Sequence, residues 1–145
     1  MIRLDNITRD NYQECIGLKV ADDQSNFVST NVLSLAKAFV YKQDAFPFVI
    51  YNDEIMVGFI MLRKVTNGYL IWQLMIDERY QSRGYAKEAL KLAIEWMKKD
   101  KDCHVITVTY KKGNDIAEKL YYKFGFQQFS VVEEQNEINM SKHLI

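Results

Sequence analysis

The chain begins with Ile2 and Leu4 alternating with polar residues, the period-two pattern of a short strand. Residues 9–20 turn to helical spacing, with Tyr12, Cys15, Ile16 and Lys19 roughly in phase. Residues 21–30 are polar and read as a loop or broken helix. Residues 31–41 are helical again, with Leu35, Ala38 and Phe39 able to share a face. Apolar runs at 48–51 and 55–62 flank the turn formers Asn52-Asp53 and predict a hairpin. Asn67-Gly68 then separates residues 56–64 from 69–76. Both of its residues tolerate positive φ, so a second hairpin follows. Further on, Ala86, Ala89, Leu90, Ala93, Trp96 and Met97 recur at helical spacing, ending near Lys98 and Lys99, where cations complement a helix C-terminus. Residues 105–110 read as a strand, 115–124 as a short helix stopped by Gly125, and 126–132 with 138–142 as a final hairpin. The order is β-α-α-β-β-β-α-β-α-β-β. It implies an α+β fold, a mostly antiparallel sheet flanked by helices, with one parallel crossover pair.

Composition narrows the class. The 145 residues suit one domain, 1–145, and a hydrophobic share of 48% is enough for a core. Nineteen Lys and Arg balance nineteen Asp and Glu, which disfavours a globally basic nucleic-acid binder. No apolar run approaches the ~20 residues that span a bilayer, and the charged N-terminus lacks an apolar signal core. Cys15 and Cys103 form no CxxC and have no metal-type spacing with His104 and His143. They read as free thiols in a reducing cytosol; the expected location is cytoplasmic, with no metal and no membrane.

The chemically informative stretch is residues 74–89, LMIDERYQSRGYAKEA, where a strand feeds a polar loop that opens the long helix. Free N–H groups and the dipole at a helix start attract anions. Gly84 removes a side chain where a phosphate approaches, Ala86 is nearly as small, and Arg83 offers charge. Many glycine-led helices bind nothing, so the loop alone leaves that alternative open. The stretch is neither a Gly-x-x-x-x-Gly-Lys-Ser/Thr loop nor a Gly-x-Gly-x-x-Gly fingerprint, which makes a mononucleotide kinase or a Rossmann dehydrogenase a poor reading.

Gln81-Ser82-Arg83-Gly84-Tyr85-Ala86 resembles the Gln/Arg-x-x-Gly-x-Gly/Ala signature of GNAT-type N-acetyltransferases. A second block, Asn114-Asp115-Ile116-Ala117-Glu118-Lys119-Leu120-Tyr121-Tyr122-Lys123-Phe124-Gly125-Phe126, is similar to that family's Asn-x-x-Ala-x-x-Leu-Tyr-x-Lys-x-Gly-Phe. The likeness spans about residues 69–132. Ala86 stands where glycine is commoner.

The resemblance implies transfer of acetyl from acetyl-CoA, the cosubstrate, to an amine. It implies that strands 69–76 and 105–109 splay apart to admit pantetheine. Leu74, Met75 and Ile76 then line the gap, and an N–H near Met75 meets the thioester carbonyl. The pyrophosphate lies over Gln81, Ser82, Arg83, Gly84, Tyr85 and Ala86. Asn114 contacts the pantetheine arm or orders the adjoining loop, Ala117 of the same block is a cofactor-binding position, and Lys123 reaches the phosphates or is simply a solvated helix lysine. Tyr121 is the implied general acid for the departing thiolate. A phenol near 10 and a thiol near 8.5 make that transfer uphill by only ~2 kcal/mol. Tyr122, one residue on, faces elsewhere. Some members carry a glutamate on the strand before the loop. Here Trp72-Gln73-Leu74-Met75 holds no carboxylate, so the amine proton is expected to leave through water. Asp77 and Glu78 qualify only on charge and suit loop capping.

Residues 20–29, VADDQSNFVS, resemble the acceptor loop of bacterial spermine/spermidine acetyltransferases through a Val-x-x-x-Gln-x-x-aromatic-aliphatic pattern, and residues 76–81 resemble the same subgroup. A polyamine pocket calls for carboxylates and aromatic faces. Asp22, Asp23, Gln24, Phe27 and Glu54 are the candidates, with the acidic stretch 133–137 in reserve. Two other readings stay open: a GNAT enzyme for another amine (a protein N-terminus, an amino acid or an antibiotic), and a non-catalytic acyl-CoA-binding domain, which has no need of Tyr121. The last hairpin leaves an edge able to pair across subunits, and a homodimer is common in the family.

Overall fold

A computed structural model describes residues 1–25 and 27–144. Among them lie seven strands: β1 (Ile2–Asn6), β2 (Ala45–Asn52), β3 (Ile55–Val65), β4 (Gly68–Ile76), β5 (Val105–Lys111), β6 (Gln127–Val132) and β7 (Glu137–His143). Four α-helices accompany them: α1 (Tyr12–Gly17), α2 (Asn31–Val40), α3 (Tyr85–Lys98) and α4 (Asp115–Lys123). The strands form one sheet in the order β1-β2-β3-β4-β5-β7-β6. Every pairing is antiparallel except β4 with β5, where α3 makes the crossover. The α+β architecture is therefore the one the element order implied. Strand β7 inserts between β5 and β6, because the final hairpin folds its second strand back onto β5. Among the described residues no helix is long and apolar enough to cross a membrane.

The sheet buries both faces of its central strands. One face packs on α3 and α4 through Ile60, Leu62, Ile71, Leu90, Met97, Ile106, Phe126 and Met140. The other packs on α1 and α2 through Cys15, Leu18, Val49, Phe59, Met61 and Met75. Double-sided burial explains why β3 reads as an almost unbroken apolar run. Pro47 sits inside β2 opposite Met61, but β1 ends at Asn6 opposite Phe48, so the proline lies beyond the reach of β1.

The structure differs from the sequence expectation in three places. The first helix is only 12–17, six residues of the twelve in the helical pattern. The second hairpin has Thr66-Asn67 as its loop; Asn67 carries the positive φ of 71°, while Gly68 is already the first residue of β4. Its missing side chain serves a close approach, since a Cβ there would run into the Val105 carbonyl oxygen. Phe39 does not share a buried face with Leu35 and Ala38. Those two pack against the α1–α2 core, whereas Phe39 is 72% exposed.

Candidate functional site

The site begins with a defect in β4. Met61 pairs with Gln73 and Leu62 with Ile71, so Trp72 is an extra, bulged residue. A bulge re-aims its strand and shifts its alternation. Tyr69 and Ile71 face α3, and after Trp72 the same face is served by Leu74 and Ile76. Met75 turns to the α1–α2 side. The parallel ladder stops at the same point: Gly68–Ile71 pair with Val105–Val108, and from Trp72 onward β4 pairs only with β3. One backbone edge of β4 is left without a β5 partner over a stretch facing a cleft. Buried peptide groups demand partners, so this edge is a ready acceptor of an extended chain bearing amides.

The cleft encloses about 440 Å³. Leu74, Met75 and Ile76 form one wall, and Asn114, Ala117, Tyr121 and Lys123 of the α4 side form another. Gln81, Ser82, Gly84, Tyr85 and Ala86 close the end at the start of α3. Gly84 is the α3 N-cap with φ 82°, a left-handed conformation that places the next N–H groups at the helix mouth, and nothing stands within 4 Å of where its Cβ would be. Ser82 also holds positive φ, 64°. The peptide groups at this helix start, with the α3 dipole, suit an anion. Arg83 lies apart from the lining. Its guanidinium sits 5.8 Å over the Tyr80 ring and reaches the Arg79 carbonyl at 3.4 Å.

Asn114 caps α4, its side-chain oxygen accepting from the Ala117 N–H at 3.3 Å. Tyr121 is buried, with its ring 5.5 Å from Phe126 in an edge contact and 6.3 Å from Tyr110. Burial pushes its phenol up, well beyond the ordinary tyrosine range. The phenol stays protonated at every physiological pH. Raised in this way, the phenol is better suited to donate a hydrogen bond than to give up its proton.

The loop between α1 and α2 covers the other mouth, held at several points. The Lys19 N–H donates to Asp77 at 3.1 Å and the Gln73 amide to the Ser29 carbonyl at 2.7 Å. The Gln81 amide donates both to the Ile76 carbonyl and to the Gln24 side chain, each at 2.9 Å. Gln24, Val20 and Val28 line the cleft. Asp22 and Asp23 are exposed in the short turn beside it, and the Phe27 ring lies 3.9 Å from a Cβ built on Gly113. Neither aspartate nor Phe27 is in the cleft lining, and Asn26 of this loop lies outside the described residues. Glu54 is exposed in the β2–β3 turn, away from the lining. In the acidic stretch 133–137, Glu133 and Glu134 are exposed and Glu137 pairs with Lys111 at 3.3 Å.

Asp77 is a clip. Burial alone would raise its carboxyl, but hydrogen bonds from the Arg79 side chain and backbone and from the Lys19 N–H, with the Arg79 charge, hold it below the usual range. Glu78 stands 3.6 Å from Lys19. Among the described residues the cleft lining includes no carboxylate.

Several lining residues escaped the sequence reading: Tyr80, Lys87, Ile116, Lys119 and Leu120. A signal existed for two of them. Lys87 falls in the first turn of α3, and Lys119 stands one helical turn before Lys123.

Known proteins resemble this chain. A family model described as "Acetyltransferase (GNAT) family" matches residues 4–126. Spermine/spermidine N(1)-acetyltransferase of Bacillus subtilis strain 168 is 29% identical over 155 aligned positions, covering 99% of each chain. Among solved structures, the PaiA N-acetyltransferase from Thermoplasma acidophilum in complex with coenzyme A superimposes with TM-score 0.79 at 19% identity, covering 99% of both chains. Spermidine N-acetyltransferase from Vibrio cholerae in complex with CoA and spermine gives TM-score 0.80 at 17% identity, covering 98% of this chain and 95% of that one. At those identities the two structures establish a common fold.

Proposed function

As a member of the GNAT acetyltransferase family, the chain is an N-acetyltransferase, and we propose that it moves the acetyl group of acetyl-CoA to a primary amine of a polyamine, spermidine or spermine. The observation that carries the acetyl-CoA half is one cleft shared by the unpaired edge of β4, the N-terminus of α3 and the Tyr121 phenol. The diphosphate fits the open peptide groups at Gly84 and the following turn. Lys87, Lys119 and Lys123 give the cleft mouth its positive charge. Pantetheine amides complete the β4 edge after Trp72. The amine nitrogen attacks the thioester carbon, a β4 N–H near Met75 steadies the oxyanion, and the C–S bond breaks with Tyr121 donating to sulfur. Asp77 is engaged by Arg79 and Lys19, so water carries the amine proton away.

The polyamine half rests on the full-length likeness to a spermine/spermidine acetyltransferase and on the loop that bears Asp22, Asp23, Gln24 and Phe27. In this reading the two exposed aspartates attract the outer ammonium groups while the reacting nitrogen passes Gln24. A second reading, an amine with a single charge, is favoured by the lining itself, which includes no carboxylate among the described residues. Thiol release from acetyl-CoA over a panel of spermidine, spermine, monoamines, amino acids and peptides separates the two. Turnover with polyamines above all others, weakened by Asp22→Asn/Asp23→Asn, is the expected result; preference for a monoamine or peptide overturns the polyamine assignment.

A further inference from the structure

The α1–α2 loop is pinned at both ends to the far half of β4 and the turn after it. The Glu78 N–H donates to the Lys19 carbonyl at 2.8 Å and the Lys19 N–H to Asp77, while the Gln73 amide holds the Ser29 carbonyl. Between these pins the loop sorts its residues by charge. Asp22 and Asp23 are exposed, and the loop residues that line the cleft are neutral: Val20, Gln24 and Val28.

Gln24 is the polar one of the three, and its neighbour fixes which way its amide points. The Gln81 Nε2 donates to the Ile76 carbonyl at 2.9 Å, and the same nitrogen stands 2.9 Å from the Gln24 amide. A backbone carbonyl only accepts, so that end of Gln81 is its NH2. Two NH2 groups cannot bond to each other, so Gln24 meets it with Oε1. Ile76, Gln81 and Gln24 thus form an oriented chain of hydrogen bonds. The oxygen of Gln24 is engaged, and its Nε2, with two N–H groups, has no acceptor among the described residues.

We infer that Gln24 binds the cofactor rather than the amine: its Nε2 donates to an amide carbonyl of the pantetheine arm. The inference rests on the acetyl-CoA reading above. An ammonium is held by carboxylates and other acceptors, and Gln24 offers the cleft a donor. Pantetheine is the complementary group, a neutral chain whose carbonyls accept and whose methyl and methylene groups suit Val20 and Val28. The place agrees as well. The Gln81 nitrogen that holds Gln24 also holds the carbonyl of Ile76, the last residue of the open edge of β4. A chain laid along that edge bonds to β4 with one side and leaves polar groups on its other side. Gln24 supplies a donor there. One loop then serves both substrates, with its neutral residues on the cofactor and its acids outside.

The test is calorimetric titration of wild type, Gln24→Ala and Gln24→Glu with CoA and with adenosine 3′,5′-bisphosphate, which lacks the pantetheine arm. The KM of the accepted amine at saturating acetyl-CoA is measured beside it. Gln24→Ala should weaken CoA by about threefold to tenfold and leave the bisphosphate within about twofold. Gln24→Glu keeps the oxygen that Gln81 holds and replaces the donor by a second acceptor. It should weaken CoA more than Gln24→Ala does, without lowering the amine KM. This variant also decides the matter if Gln24→Ala loosens the loop. Unchanged CoA affinity in both variants overturns the inference. So does a several-fold lower amine KM in Gln24→Glu, which would turn Gln24 toward the ammonium. Equal weakening of CoA and the bisphosphate by Gln24→Ala overturns it too, because a merely structural residue gives that result. A wild type that binds no CoA is a different failure and overturns the acetyl-CoA reading itself.

Discussion

The two halves of β4 share one strand and have opposite tasks. Gly68–Ile71 is paired on both sides, to β3 and to β5, and approaches β5 so closely that no side chain fits at Gly68. Past the Trp72 bulge, Gln73 through Ile76 is paired with β3 only, and Leu74 through Ile76 line the cleft. The first half is a hinge pin for the parallel pair. The second leaves an edge with hydrogen bonds to give. A closed half and an open half are both needed, because an edge can stay open in a well-packed protein only when its neighbours are held elsewhere. One bulged residue, Trp72, separates the two tasks.

The comparison is tested most severely in the open half. Tyr121→Phe removes the phenol and keeps the ring that contacts Phe126 and Tyr110. Turnover should fall by about 10²–10⁴-fold, with the melting temperature and the affinity for CoA nearly unchanged. Calorimetric CoA titration beside thiol-release kinetics measures both, and wild-type turnover would exclude any role for the phenol.

The closed half predicts the reverse signature. Gly68→Ala drives a Cβ toward the Val105 carbonyl, which belongs to the backbone and cannot swing aside. The strands must part, at a cost of about 3 kcal/mol. For a chain of this size that lowers the melting temperature by roughly 10 °C, and the activity remaining below the transition should stay close to wild type. A full loss of activity in a variant that melts normally would show that the two halves are not separable.

Much of this was legible in the sequence because it is local. The element order, the glycine-opened α3 and the asparagine-capped α4 each depend on a few adjacent residues. So does the glycine-containing loop at 81–86. Alternation alone does not give the facing of β4. Strict period two assigns Tyr69, Ile71, Gln73 and Met75 to one face, and the Trp72 bulge, set by pairing with β3, moves Met75 to the other. Phe39 misled for a related reason. Helical spacing groups it with Leu35 and Ala38, but the core accepts only the small inner face of α2, a choice made by α1 and β4. The acids of the α1–α2 loop were readable as residues and not as positions: Asp22 and Asp23 are exposed beside Gln24, which lines the cleft, whereas Glu54 lies in a turn whose place depends on the whole sheet.

The smallest expected effect, on pH dependence, tests the closed half at its outer end. Asp100 follows α3 and accepts from the Tyr69 hydroxyl and from the Lys64 ammonium, each at 2.8 Å, tying β4 and β3 to the helix that crosses over them. The Lys64 hydrogen bond first, then the Asp102 N–H and the Tyr69 hydroxyl, hold its carboxyl down at about 2. A carboxyl whose folded value lies below its unfolded one, near 3.9, stabilises the fold above that unfolded value. The contribution fades as pH falls from about 4 through about 2. Because the pair stands near the surface, salt screens it and the effect is modest. Other carboxylates are lowered as well, Asp53 and Asp77 among them, so the informative quantity is a difference. Melting temperatures of wild type and Asp100→Asn should differ most at neutral pH and converge as the acid limb is descended. Parallel curves across that window would show that the tie between α3 and β4 does not depend on the charge of Asp100.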